Sequence, residues 1–290
     1  MKIVLFFAEG PHDIAFIKLA LRHRFHLSVN NQQKINSLPT PLNKIFDQLI
    51  KEHFWGDWSL DMAHKFLLPN NILNTNDGDF IFLFNTGGMN KYSVVKQLIS
   101  RVFYQLKFGG LHYDFDIDDV RIIFTYDADY RGESRTIEEV KRHIFPIKAV
   151  DCKFDETGEN DDETLLDSSS PNIFYYIWHG HVDYGTLEDI LVPIYRQSHA
   201  VLFDKTDIFI NENFKEYFDF DSTKITQHDI ATKAKKNKAL ITIAGQGKYP
   251  SRPTTAIIED NVLGNETTFI QDRFVSNFTN FLIQSKIFDS

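Results

Sequence analysis

A single cysteine, Cys152, stands among 290 residues. One thiol makes neither an internal disulfide framework nor an all-cysteine zinc site, and a reduced, cytoplasmic setting is the expectation. Long apolar runs are also missing. None approaches the roughly 20 residues of a membrane-spanning helix, so no membrane partner is expected. The apolar stretch from Met1 to Ala8 meets Glu9 at once, and it reads as a strand rather than a secretory h-region. Positive charge is scarce: 31 Lys and Arg stand against 40 Asp and Glu, a net charge of -9. That excludes a general nucleic-acid-coating protein. It leaves room for a nuclease, whose metal-binding acids lower the net charge while a local basic strip holds phosphates. No Gly-x-x-x-x-Gly-Lys loop and no Gly-x-Gly-x-x-Gly fingerprint occurs, so an ATPase core and a dinucleotide fold are excluded within this chain. An Asp-x-Asp-x-Thr phosphatase is excluded too, because Tyr130 stands where its threonine would be and the acid pair follows a later strand.

What is present is aromatic and aliphatic. Hydrophobic residues make up 42% of the chain, with 27 Phe and 11 Tyr, enough for a sizeable core. Four apolar runs read as strands: Lys2 to Ala8, Phe80 to Phe84, Arg121 to Tyr126 and Asn172 to Trp178. Between them, Ile14, Ile17, Leu21 and Phe25 recur at helical spacing, as do Val94, Leu98, Ile99 and Val102 in a helix starting near Met89. Ile137, Val140 and Ile144 mark another helix, and Phe274, Phe278, Phe281 and Leu282 a terminal one. Strand, turn and helix in alternation predict a mainly parallel α/β sheet of about four strands, with helices on both faces. Residues 28–79 read as a helical insertion that includes Trp55 and Trp58, with loop chemistry from Pro69 to Asp79. The acidic stretch from Asp151 to Ser170 reads as an exposed loop, and Gly245 to Pro253 as a turn-rich loop. The expected organisation is one α/β domain over 1–195 and a helical C-terminal extension over 196–290, packed on the same body.

The chemistry concentrates at strand ends. Asp127 and Asp129 close the third apolar run, and alternate residues of a strand share a side. Two carboxylates that close repel unless a proton or a cation separates them. Glu9 ends the first strand, with Asp13 four residues on, and Gly87 and Gly88 end the second. In open parallel sheets the site lies beyond the carboxyl ends of the strands. Each residue also has a plainer reading. Asp127 and Asp129 suit a turn before a helix, and Glu9 an exposed turn. Glu188 and Asp189 suit the first turn of a helix. Arg131 and Arg135 suit pairing with Glu138 or Glu139. His179, His181 and Asp183 lack a third histidine for zinc, and the run from Lys233 to Lys238 suits a solvated face.

Taken in order, Glu9-Gly10-x-x-Asp13, Thr86-Gly87-Gly88 and Asp127-Ala128-Asp129 resemble the TOPRIM domain of topoisomerases, bacterial-type primases and overcoming-lysogenization-defect nucleases. Together with Gly185-x-Leu187-Glu188-Asp189 and the lysine-rich helix, they are similar to an uncharacterised prokaryotic family of stand-alone TOPRIM-like proteins. The resemblance implies Glu9 as general acid/base or metal ligand, with Asp127 and Asp129 coordinating Mg²⁺ or Mn²⁺. Asp13 could join the first metal position, and Glu188 would supply a second. Gly87 and Gly88 would admit a phosphate, and Lys91, Arg131 and Arg135 would hold its oxygens. The expected activity is metal-dependent phosphodiester chemistry on DNA or RNA, as a nuclease. Two alternatives stay open: a non-catalytic nucleic-acid or nucleotide-binding module of a defence or repair system, and a small-molecule phosphohydrolase.

Overall fold

A computed structural model describes residues 1–29, 34–54, 68–75, 77–88, 91–109, 113–152, 163–180 and 182–288. Trp55, Trp58, Met89, His181 and the acidic stretch 153–162 lie outside the described residues. In chain order the elements begin β1 (Ile3–Ala8), α1 (Pro11–Phe25), β2 (Ser28–Val29), α2 (Leu42–Phe54), β3 (Asn71–Asn74) and β4 (Phe80–Asn85). Next come α3 (Tyr92–Phe108), β5 (Val120–Asp127), α4 (Glu133–Ile144), β6 (Ile147–Lys148), β7 (Thr164–Leu166) and β8 (Ile173–Trp178). Helices close the chain: α5 (Glu188–Asn213), α6 (Gln227–Lys248), α7 (Thr254–Glu259), α8 (Glu266–Gln271) and α9 (Arg273–Gln284). Two compact units emerge. The first holds Met1–Gly10, Ser28–Phe124 and Glu138–Tyr175, and the second Pro11–Leu27, Thr125–Ile137 and Tyr176–Ser290.

The first unit is built on the sheet, in the order β2-β3-β4-β1-β5-β8. Every residue of β1 is buried, as a continuous apolar run in a sheet covered on both faces requires. It pairs parallel with β4, from Ile3 opposite Phe80 to Ala8 opposite Asn85. The fold is therefore α/β with a mostly parallel sheet. Rings cross it as a ladder: Phe7 stacks on Phe84 at 5.1 Å and on Phe124 at 5.5 Å, and Phe124 stacks on Tyr175 at 5.6 Å. Offset stacking of this kind adds about 0.5–1.5 kcal/mol per pair beyond area burial.

Among the described residues the sheet carries two strands beyond the four expected, β2 and β3, which add an antiparallel margin beside β4. These strands are two and four residues long, and β3 begins and ends in Asn, so no alternation marks them. Likewise, the stretch after Asp151 is not wholly a solvated loop. Leu165 and Leu166 of β7 are buried, and β7 pairs with β6.

The second unit is helical apart from its strand ends. In α1, Ile14 to Leu21 are buried without a break, so this helix is covered all round rather than on one stripe. Phe16 packs edge-on to Trp178 at 5.1 Å and against Phe269 and Phe278 at 5.6 and 6.2 Å. Lys18, on the same buried stretch, pairs with the Glu259 carboxylate at the end of α7. Helix α6 starts where the Thr226 hydroxyl accepts the Asp229 N–H, a normal N-cap. It continues through Gly245, which the sequence suggested as the start of a loop. A Cβ at Gly245 would stand 2.3 Å from the Ile257 side chain. Here glycine permits close packing of α6 on α7 rather than a turn. The long helix α5 leaves helical geometry at His199 (φ -141°, ψ 48°).

Candidate functional site

In the first unit, the end of β1 and the end of β4 stay in register beyond the strands. The Thr86 N–H and hydroxyl both donate to the Ala8 carbonyl, at 2.8 and 3.0 Å. The Gly88 N–H then donates to the Glu9 carbonyl at 2.9 Å, so the glycine turn holds the backbone of Glu9. Gly87 and Gly88 have φ of 63° and 93°, a region that favours glycine. A Cβ on Gly87 would meet the Lys91 Nζ at 2.9 Å. The absent side chain at Gly87 is therefore what lets the Lys91 amine lie over the turn, next to where α3 begins.

In the second unit the acids gather where β5 ends and α5 begins. Asp127 is the last residue of β5 and is buried. Its Oδ1 accepts the Leu187 N–H at 2.8 Å, a negative charge at a helix start, which the helix dipole favours. The chain then leaves strand geometry. Asp129 has φ 50° and exchanges two backbone bonds with Gly185, of 2.8 and 2.9 Å. Strand alternation therefore does not set its side chain, contrary to the sequence argument; the Gly185 bridge does. Gly185 is itself constrained, with φ 116° and a space where a Cβ would lie 2.5 Å from Asp189 Oδ2. Glu188 follows Leu187, whose N–H Asp127 accepts, and its charge is felt at Asp129.

Glu188 is 2% exposed. Its Oε1 lies 2.9 Å from His12 Nδ1 and 3.7 Å from Lys238 Nζ, while Oε2 is buried with no hydrogen-bond partner among the described residues. Burial pushes the Glu188 carboxyl up. The His12 hydrogen bond, the Lys238 charge and the nearby Thr186 hydroxyl outweigh it, and the group is held below its ordinary range. Asp129 goes the other way. Burial raises it and the Glu188 charge adds to that, against the opposing pull of Arg131 and Lys238. Arg131 donates to Asp129 Oδ2 at 3.0 Å.

The remaining expected residues are placed as follows. Asp13 is buried in the first turn of α1, and Arg135 is exposed on α4. Asp189 accepts the Thr186 N–H at 2.9 Å, Asn237 Nδ2 at 3.0 Å and Lys233 Nζ at 2.7 Å, so its carboxylate fastens α6 to the start of α5. Lys236 pairs with Asp207 at 2.8 Å. Lys233 and Lys236 thus pair with acids of α5, while Lys235 and Lys238 are exposed. His179 lies 3.9 Å from Glu133. Sequence reasoning passed over His12 and Lys238 as neighbours of Glu188. The one local signal was that His12 sits inside the Glu9-x-x-x-Asp13 motif.

Among the described residues, no three His, Cys, Asp or Glu side chains form a ready-made metal cage. Mg²⁺ does not require one, since it commonly takes one or two carboxylates and fills its shell with water and phosphate. The donors present suit such a hard cation: all are carboxylate oxygens, and Glu188 Oε2 is buried without a partner among the described residues. Asp129 and Glu188 also carry a mutual repulsion that a cation between them would relieve.

No family of known proteins matches the chain, and no curated protein matches it. Among solved structures, it is similar to the crystal structure of hypothetical protein PH0156 from Pyrococcus horikoshii OT3, at 15% identity and a TM-score of 0.51. That likeness covers 99% of this chain and 96% of the other. What it establishes is the α/β fold, shared along nearly the full length of both chains.

Proposed function

We propose that the protein is a TOPRIM-like, Mg²⁺- or Mn²⁺-dependent phosphodiester hydrolase acting on nucleic acid, that is, a nuclease. The observation that carries this reading is the buried, unpartnered Oε2 of Glu188 within a cluster that includes Asp127 and Asp129. One or two of the carboxylates Asp127, Asp129 and Glu188 would hold the cation, with water and phosphate completing its shell. When bound, it would polarise a phosphoryl oxygen and lower the pKa of a bound water. Asp127 fixes the start of α5 and so orients Glu188. Arg131 holds Asp129 by its side chain. The resemblance implies Glu9 as general acid/base or metal ligand, with Asp13 as a further ligand. Lys91, over the Gly87-Gly88 turn, and the exposed Arg135 supply charge for phosphate oxygens. A reduced, cytoplasmic setting belongs to the same reading, since the one cysteine is free and buried. Among the described residues, no helix is long and apolar enough to cross a membrane.

The test is incubation of the purified protein with plasmid and single-stranded DNA in Mg²⁺ or Mn²⁺. Cleavage by the wild type, lost in Glu9→Ala and Asp127→Ala, supports the proposal; equal cleavage by these variants rejects it. One observation favours hydrolysis of a small phosphorylated substrate instead. Arg131, Lys233 and Lys236 are already paired with acids, which leaves less positive surface for a polymer. A screen of nucleotides and small phosphodiesters separates the two.

A further inference from the structure

His12 and Glu188 are 176 residues apart in sequence, yet the imidazole Nδ1 and the carboxylate Oε1 are 2.9 Å apart. The two side chains differ sharply in exposure, His12 at 22% and Glu188 at 2%. A glutamate has a terminal torsion with broad, shallow minima, so burial alone leaves open which oxygen faces which neighbour. The His12 bond removes that freedom, because Oε1 is taken and Oε2 is left bare. His12 is itself placed rigidly, in the first turn of a helix buried through Leu21.

We infer that His12 is a positioning residue for the metal centre: its Nδ1–H holds Glu188 Oε1 and thereby presents Oε2 to the cation. The inference rests on the reading of Glu188 as a metal ligand. Hydrogen bonding behind a ligand is how proteins orient metal-binding carboxylates, and losing it commonly weakens metal affinity by about 10–100-fold. Lys238 does not substitute for His12. At 3.7 Å from Oε1, with its own side chain 48% exposed, it supplies charge without a hydrogen bond of normal length. His12 needs only to donate. An asparagine amide nitrogen occupies nearly the same position as imidazole Nδ1, so Asn preserves the interaction while Phe preserves only bulk.

The experiment is calorimetric titration of Mn²⁺ into the full-length protein, with thermal melting in EDTA run in parallel. His12→Phe is expected to weaken Mn²⁺ binding about 10-fold or more, and His12→Asn to restore most of it. Glu188→Gln should weaken it at least as much, and adding His12→Phe to Glu188→Gln should cost nothing further. Melting in EDTA serves to compare His12→Asn and His12→Phe at equal stability. If Glu188→Gln loses Mn²⁺ but His12→Phe binds like the wild type, the positioning role is overturned and the metal reading stands. Equal loss in His12→Asn and His12→Phe also overturns it. A wild type that takes up no Mn²⁺ overturns the metal reading and this inference with it.

Discussion

The backbone N–H of Leu187 donates to Asp127 Oδ1 at 2.8 Å, joining the end of β5 to the start of α5 across 60 residues of chain. This carboxylate has two tasks, one structural and one proposed to be chemical, and substitutions separate them. In Asp127→Ala the buried N–H loses its acceptor, which costs about 1–3 kcal/mol. Asp127→Asn keeps an acceptor oxygen and should unfold in urea close to the wild type. Both variants should lose Mg²⁺-dependent cleavage.

Gly185 should tolerate no side chain. Its φ of 116° and the 2.5 Å that would separate an added Cβ from Asp189 Oδ2 both oppose alanine. Gly185→Ala is expected to destabilise by about 1–3 kcal/mol, read as a lower urea midpoint with an unchanged slope. Because Gly185 bridges Asp129, Mn²⁺ affinity should fall in the same variant.

Gly87→Ala probes the phosphate side of the reading. The new methyl would displace the Lys91 amine, which lies 2.9 Å from its position. The expected kinetic signature is a several-fold rise in KM with a smaller change in kcat, since the loss is in binding a phosphate rather than in chemistry. A fall in kcat alone would count against a phosphate role for Lys91.

Acid sensitivity should appear at the start of α6. Asp221 is held at about 2 by the Thr223 hydroxyl, then by the Thr223 N–H and by Lys224. A depressed carboxyl contributes stability that is complete above its unfolded value of about 3.9, and this is lost as pH falls through the folded value. The window is therefore pH 4 down to 2. In Thr223→Ala an NMR titration of the Asp221 carboxyl should show its midpoint moving up from about 2 towards 3.8.

The four strands β1, β4, β5 and β8 were legible because each is a mostly apolar run bounded by turn chemistry. Strands β2 and β3 were not, because their pairing with β4 rather than their own composition makes them strands. At the site, the motif spacing placed the acids at strand ends. It could not show that Asp129 leaves strand geometry, which follows from the bridge to Gly185. Nor could it separate Glu188 from its neighbour Asp189. One carboxylate turns to His12 and the other to Lys233 and Asn237, and only the packing of α1 and α6 decides which. Gly245 misled for a related reason: a glycine that permits close approach of helices looks the same in sequence as one that permits a turn.

The surroundings of α1 bear on the order in which the chain can acquire structure. Phe16 precedes its partners in the chain by a long way: it packs on Trp178, Phe269 and Phe278, all far downstream. Contacts so distant in sequence close slowly, and a nascent chain carries the apolar surface of α1 incompletely covered until Phe269 and Phe278 have been made. Chains truncated before Phe269 are therefore expected to associate or to recruit chaperones, even though every strand of the sheet has already been made. The histidine that faces Glu188 would reach its partner only in a late step, so capacity to bind Mn²⁺ should be among the last properties regained on refolding.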